Sequence, residues 1–268
     1  MEFKYFKTLK DEPELRARLD EFLEHEQLDA YFRPDEDKAL EGLYNNYIVC
    51  NNVGEVFAYA EPLGYNEEKA CTDFAFASAE NEWGDKACTL LLQNLGKMVN
   101  RCCVSTFEAG DERLTKAGFV PFYDDYLMLR DRWIPKTSKG IVFDEAGSAE
   151  NGRYDIFVVT AADEACEVEY IVTDNELKDT EGLPQQVAGC KIISYSDQIC
   201  LSEVWTDEAH RRKGIAAGLI NFCIDEYSDK SIILHTDSQN VAAVGLYKKL
   251  GFGIYETSYN YISSSENI

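Results

Sequence analysis

Two short stretches of this chain carry residue types that could do chemistry together. The first is His210-Arg211-Arg212-Lys213-Gly214-Ile215-Ala216-Ala217, a basic triplet followed by small and aliphatic residues. The second is Asn240-Val241-Ala242-Ala243-Val244-Gly245-Leu246-Tyr247, closing on Leu250-Gly251-Phe252. The first fits an anion cradle at a helix start. Backbone N–H groups there point outward without intrahelical partners, and the helix dipole favours negative charge. Gly214 and Ala216 leave a phosphate room to approach the backbone. Arg211, Arg212 and Lys213 add positive charge in a chain whose formal net charge is −23. The pattern is neither GxxxxGK(S/T) nor GxGxxG, so neither a nicotinamide nor a flavin is indicated. In the second stretch Asn240 sits at a helix start, where its side chain caps the helix or reaches a ligand. Tyr247 follows two turns later on the same face. It either brings a phenol proton to a reacting atom or belongs to the core with its hydroxyl satisfied.

These stretches need a scaffold of alternating strands and helices. Apolar spacing predicts a helix from about Asp11, with Leu15, Leu19, Phe22 and Leu23 on one face, and another over Asp37 to Tyr44. Strands are expected at Tyr47 to Cys50 and Glu55 to Ala60 about an Asn51 to Gly54 turn, and at Cys71 to Ala77. A helix over Gly84 to Val99, a strand at Cys102 to Phe107, a short helix ending at Lys116 and a strand at Tyr123 to Arg130 complete the first half. Asp131 to Gly152 is rich in Gly and polar residues and reads as a connection. The second half repeats the order. It has strands at Tyr154 to Val159, Val168 to Val172, Gly189 to Tyr195 and Ile199 to Thr206. Then come a helix from Lys213, a strand at Ser231 to Leu234, a helix from Asn240 and a strand at Ile254 to Ile262. Ala117-Gly118-Phe119 corresponds to Leu250-Gly251-Phe252, and Gly84 to Gly214, so the chain reads as an internal duplication. The expected domains are 1–130, a linker at 131–152, and 153–268.

Composition excludes several classes. No apolar run approaches the ~18 residues that span a bilayer, so no membrane association is expected. Met1-Glu2-Phe3-Lys4 and the charged sequence after it do not resemble a secretory signal. Nine cysteines, Cys102-Cys103 among them, form no CxxC pair. They read as reduced intracellular thiols buried as small hydrophobes, with no metal expected and a cytoplasmic location. So acidic a surface repels phosphate backbones, so nucleic acid is not an expected partner. The acidity suits a cationic acceptor such as an amine, or serves solubility alone.

Arg211-Arg212-Lys213-Gly214-Ile215-Ala216 matches RxxGx(G/A), and Asn240 to Phe252 matches NxxAxxxYxxxGF. In this order, the pair resembles the GCN5-related N-acetyltransferase (GNAT) family over Ile199 to Ile262, with the rest of the chain similar in element order. The resemblance implies a mixed α/β fold of two GNAT-like units, each a mostly antiparallel sheet flanked by helices. It implies acetyl-CoA or another acyl-CoA as donor. The N–H groups of Arg212, Lys213, Gly214, Ile215, Ala216 and Ala217, with Arg211, would hold its pyrophosphate. The backbone of Val204, Trp205 and Thr206 would pair with the pantetheine arm, which Asn240 would also touch. Tyr247 would act as general acid on the departing thiolate. Glu203 is the family-like candidate for general base. Strand alternation sets it on the face of Leu201 and Trp205, away from Ser202 and Val204, unless a bulge intervenes. His235 is expected to be a satisfied histidine beneath the second helix, and His25 and His210 to be exposed without a role.

The implied activity is transfer of an acetyl group from acetyl-CoA to a primary amine, on a small molecule or a peptide, by direct attack. The alternative is a non-catalytic CoA-binding or protein-interaction module on the same scaffold. In the first half, Asn81-Glu82-Trp83-Gly84-Asp85-Lys86 takes the place of the cradle and Leu114 that of Tyr247. That copy resembles a GNAT unit unable to hold CoA in the usual way. Its expected job is structural, or to complete an acceptor pocket.

Overall fold

The computed structural model describes residues 1–27, 32, 44–136, 140–160 and 167–263. The helix expected over Asp37 to Tyr44 lies almost wholly outside them. In chain order the elements are β1 (Glu2–Phe6), α1 (Pro13–His25), β2 (Asn46–Cys50), β3 (Val56–Asn66), β4 (Cys71–Ser78), α2 (Glu82–Met98), β5 (Cys102–Thr106), α3 (Glu112–Lys116) and β6 (Phe119–Arg130). Then follow β7 (Tyr154–Thr160), β8 (Glu167–Lys178), β9 (Pro184–Ser194), β10 (Gln198–Thr206), α4 (Ile215–Glu226), β11 (Ser231–Asp237), α5 (Val241–Lys249) and β12 (Gly253–Ser263). Among the described residues no helix is long and apolar enough to cross a membrane.

The chain divides into two compact units, but not in linear order. Unit 1 holds residues 1–124 and 258–268, and unit 2 holds 125–257. In unit 1 the strands run β1-β2-β3-β4-β5, and the last place beside β5 is taken by Tyr259 to Ile262 of β12. In unit 2 they run β7-β8-β9-β10-β11, and the last place beside β11 is taken by Asp125 to Arg130 of β6. Neither the cut at 130 nor the linker at 131–152 appears as a boundary. Residues 131–152 belong to unit 2, where Ile141 N–H donates to the Gly214 carbonyl at 3.2 Å.

Each unit is mostly antiparallel with one parallel pair. Unit 1 pairs Thr72 to Phe74 of β4 with Cys102 to Val104 of β5. Unit 2 pairs Gln198 to Cys200 of β10 with Ser231 to Ile233 of β11. Each parallel pair lasts only three residues before the strands part, leaving a mouth where they are no longer paired. The helices are fixed by their apolar sides. In α2, Ala87, Cys88, Leu91, Leu92 and Leu95 are buried at helical spacing. In α4 every residue from Ala217 to Ile224 is buried, so this helix is held by packing on nearly all sides. Full burial of one such Leu or Ile is worth about 1.5–3 kcal/mol.

Candidate active site

In unit 2, β10 enters the mouth with a β-bulge. It advances three residues from Ser202 to Trp205, while β9 advances two from Lys191 to Gly189. The extra residue sits at Glu203, whose φ is 47°. A bulge unpairs backbone groups and re-aims the side chains after it. Val204, Trp205 and Thr206 consequently all line one cleft. A Cβ on Gly189 would lie 2.6 Å from Trp205 Nε1, so a glycine in β9 is what seats this indole.

A 3₁₀ turn at Glu208–His210 leads to α4, whose N-cap is Gly214 in the left-handed conformation at φ 83°. No side chain caps this helix. Among the described residues, the N–H groups of Arg212 through Ala217 find no backbone acceptor. Gly214 has a second constraint, because its Cβ would come within 3.2 Å of Gly140 Cα. Asn240 caps α5 by accepting from Ala243 N–H at 3.1 Å, which leaves its amide NH₂ for other partners.

The cleft between these elements has a volume of about 910 Å³. Of the residues singled out from sequence, it brings together Val204, Trp205, Thr206, Arg211, Arg212, Gly214, Ile215, Ala216, Ala217, Asn240 and Tyr247. Lys213 is exposed and does not line it. Leu246, Ala242, Ala243 and Lys249 also line it, on the face of α5 that carries Tyr247.

Tyr247 is 6% exposed, and its ring meets Phe252 edge-on at 5.8 Å between centroids. Among the described residues its hydroxyl makes no hydrogen bond, so it is not the satisfied core tyrosine. Burial, with a smaller push from the Cys190 thiol, raises the phenol to about 12, so it keeps its proton at neutral pH.

Glu203 is not where a cleft base would be. Its side chain is 65% exposed, does not line the cleft, and pairs with Lys191 Nζ at 3.0 Å. The bulge places it at the turning residue itself, so the family-like assignment of Glu203 as base is not supported by its position. The histidines also differ from expectation. His235 is exposed rather than tucked beneath α5. His210 is buried and lines the cleft, its Nδ1 3.0 Å from Asp207 Oδ1 and its Nε2 3.2 Å from Asp174 Oδ2. Burial would raise the Asp174 carboxyl. Arg153, the Glu176 N–H and His210 outweigh that and hold it below the usual carboxylate range. This partnership was hidden in the sequence, because Asp174 and His210 meet only through strand pairing.

The corresponding place in unit 1 is built differently. Asn81 caps α2, its Oδ1 accepting from Trp83 and Gly84 N–H at 3.0 Å each. Lys86 pairs with Glu82 at 2.7 Å and lies over the Trp83 ring. Arg113 of α3 reaches Ser78 at the end of β4 at 3.4 Å and holds Asp111 at 2.7 Å. Leu114, in the place of Tyr247, is fully buried.

The family model for the acetyltransferase (GNAT) family matches residues 149–252. No curated protein matches the chain by sequence. Among solved structures, a GCN5-related N-acetyltransferase from Sphaerobacter thermophilus aligns with a TM-score of 0.57 at 13% identity, over 97% of this chain and 95% of that one. A tandem GNAT protein from the clavulanic acid biosynthesis pathway aligns with a TM-score of 0.59 at 10% identity, over 97% and 98%. A GNAT-family acetyltransferase from Colwellia psychrerythraea aligns with a TM-score of 0.56 at 12% identity, over 98% and 100%. At such identities the likeness is one of fold, and the family match is confined to residues 149–252. Residues 149–252 therefore match a GNAT acetyltransferase domain, and the chain as a whole is similar in fold to a tandem GNAT protein.

Proposed function

We propose that unit 2 is an N-acyltransferase that takes an acetyl group from acetyl-CoA to a primary amine. The observation that carries this reading is the uncapped start of α4 opening on the same cleft as the bulge of β10 and the hydroxyl of Tyr247. Acyl-CoA supplies an activated thioester. The free N–H groups from Arg212 to Ala217 suit its pyrophosphate, and Arg211 and Arg212 add charge at the same edge. Unpaired backbone at the bulge suits the amide groups of an extended arm, along Val204 to Thr206. Asn240 has an amide NH₂ to offer that arm, and Tyr247 holds a proton at Oη for a thiolate leaving group.

Among the described residues lining the cleft, none is a carboxylate. His210 lines it, but both its ring nitrogens are engaged by Asp207 and Asp174, so the reading gives the base role to no side chain, and the acceptor reacts as its free amine. A net charge of −23 favours a basic acceptor, a small polyamine-like molecule or a basic peptide. Thermal shift with acetyl-CoA, followed by thiol release across a panel of amines and basic peptides, tests the proposal. Stabilisation with turnover is the expected result. Stabilisation without turnover on any acceptor points to a CoA-binding module, and absence of stabilisation overturns the donor assignment.

A further inference from the structure

We propose that Cys71, Asp73 and Cys103 in unit 1 form a binding site for a zinc-type divalent metal ion. The three come together through strand pairing alone. Cys71 and Asp73 stand two apart on β4 and so share a face of the sheet. Cys103 lies on the parallel neighbour β5, in register with Asp73. Their ligand atoms, two sulfurs and a carboxylate oxygen, all lie within 4.8 Å of one another. Cys71 Sγ is 3.6 Å from Asp73 Oδ1. Around a tetrahedral zinc, with S at about 2.3 Å and O at about 2.1 Å, neighbouring ligand atoms stand about 3.5–3.8 Å apart. One edge of that tetrahedron is already present, and small side-chain rotations bring in the third atom.

The surroundings suit a metal centre. Both thiols are buried, at 0% and 1% exposure, beneath Ile262, Phe122 and Tyr123. The two rings meet edge-on at 5.1 Å. Asp73 is only partly buried, which leaves a side open for a water as fourth ligand. Simple packing of small hydrophobes accounts for two buried thiols. It does not account for the convergence of a half-buried carboxylate on both sulfurs, because a thiol is a weak donor for so strong an acceptor. Two sulfurs and one oxygen favour zinc over magnesium or calcium. As each S–metal bond forms, the thiol releases its proton to solvent, and the carboxylate binds as it is.

Cobalt(II) is the probe, added to the full-length, reduced chain. The expected result is one equivalent bound with thiolate-to-cobalt charge-transfer absorption and the visible bands of a tetrahedral ion, both erased by zinc. Cys71→Ser and Cys103→Ser should each abolish the charge-transfer band at stoichiometric cobalt. Asp73→Asn should weaken binding by more than about tenfold, since even outer-shell partners are worth that much. Cys102→Ser, on the opposite face in the core beneath α2, should leave the spectrum unchanged. Circular dichroism of each variant separates loss of metal from loss of fold. Absence of the band from the wild-type chain overturns the site. So does a band that survives in a folded Cys71→Ser,Cys103→Ser double variant. A Cys71–Cys103 disulfide in protein purified without reductant, with no cobalt band after reduction, also overturns it.

Discussion

The two units present the same strand–helix junction in opposite states. In unit 1, Asn81 occupies the start of α2 and spends its oxygen on two N–H groups. In unit 2, Gly214 holds the start of α4 in a left-handed turn, and six N–H groups stay uncommitted. The mouth beside α2 is crossed by Arg113, whereas that beside α4 holds a cleft of about 910 Å³. The difference shows how little separates a ligand site from a closed scaffold on one fold. A polar cap stands in place of glycine, and a cation reaches the end of β4, where the other unit has open backbone N–H groups.

The contrast can be broken at several points. Tyr247→Phe should act most strongly, lowering kcat by about 10²–10⁴-fold with little change in the acetyl-CoA concentration at half-saturation. An unchanged kcat would remove Tyr247 from the chemistry. Gly214→Asp should weaken acetyl-CoA by about 10–100-fold in a thermal-shift or calorimetric titration. It adds left-handed strain of about 1–2 kcal/mol and sets a negative charge at the helix start. Asn81→Ala should cost about 1 kcal/mol of stability through the lost cap, leaving acetyl-CoA affinity as it was. A drop in that affinity would mean the two helix starts are not independent.

Acid should separate the units by their buried carboxylates. At Asp111, burial favours the neutral form, but Arg113 and its backbone N–H hold the carboxyl below its usual range. The stability it contributes is complete above about pH 4 and is lost as the pH falls through the lowered folded value. Asp111→Asn in unit 1 and Asp174→Asn in unit 2 should each flatten the acid limb of a urea-melt series, by different spectroscopic transitions if the units melt separately. The smallest effect belongs to Glu203→Gln, which should leave kcat within about twofold, because an exposed ion pair contributes little. The rate should follow the acceptor's own ammonium ionisation in wild type and variant alike.

The residues lining the cleft were largely legible because local signals encode them. Glycine and small residues at a helix start, a cap residue and a tyrosine two turns later are short-range patterns. Apart from the helix over Asp37 to Tyr44, which lies almost wholly outside the described residues, the expected strands and helices fall on observed elements, though β1 was not anticipated and β3, β6 and β8 run longer than their apolar cores. What could not be read depends on partners far along the chain. The bulge at Glu203 is a property of the β9–β10 register, and alternation on one strand cannot show it. His210 looked exposed because Asp174 lies on β8. Gly140 read as linker composition, yet its Cβ would fall 2.6 Å from Gly218 N, so it marks a close approach to α4. Cys71 and Cys103 showed no ligand spacing, since β4 and β5 meet only after α2 has been traversed.

The crossed membership of β6 and β12 bears on how the chain can be cut and how it is made. Arg130 Nε donates to the Leu250 carbonyl at 3.0 Å, and Asp125 to Arg130 complete the sheet beside β11. A truncation that starts after residue 130 would therefore strip unit 2 of a strand, and its failure would say nothing about unit 1. A cut before Asp125 keeps that strand in unit 2 but leaves Tyr259 to Ile262 without β5. On the ribosome, the first hundred residues emerge without Tyr259 to Ile262, the strand that covers the far side of β5. Until Tyr259 to Ile262 have been made, unit 1 carries an open edge at β5, a place where a nascent chain is exposed to mispairing.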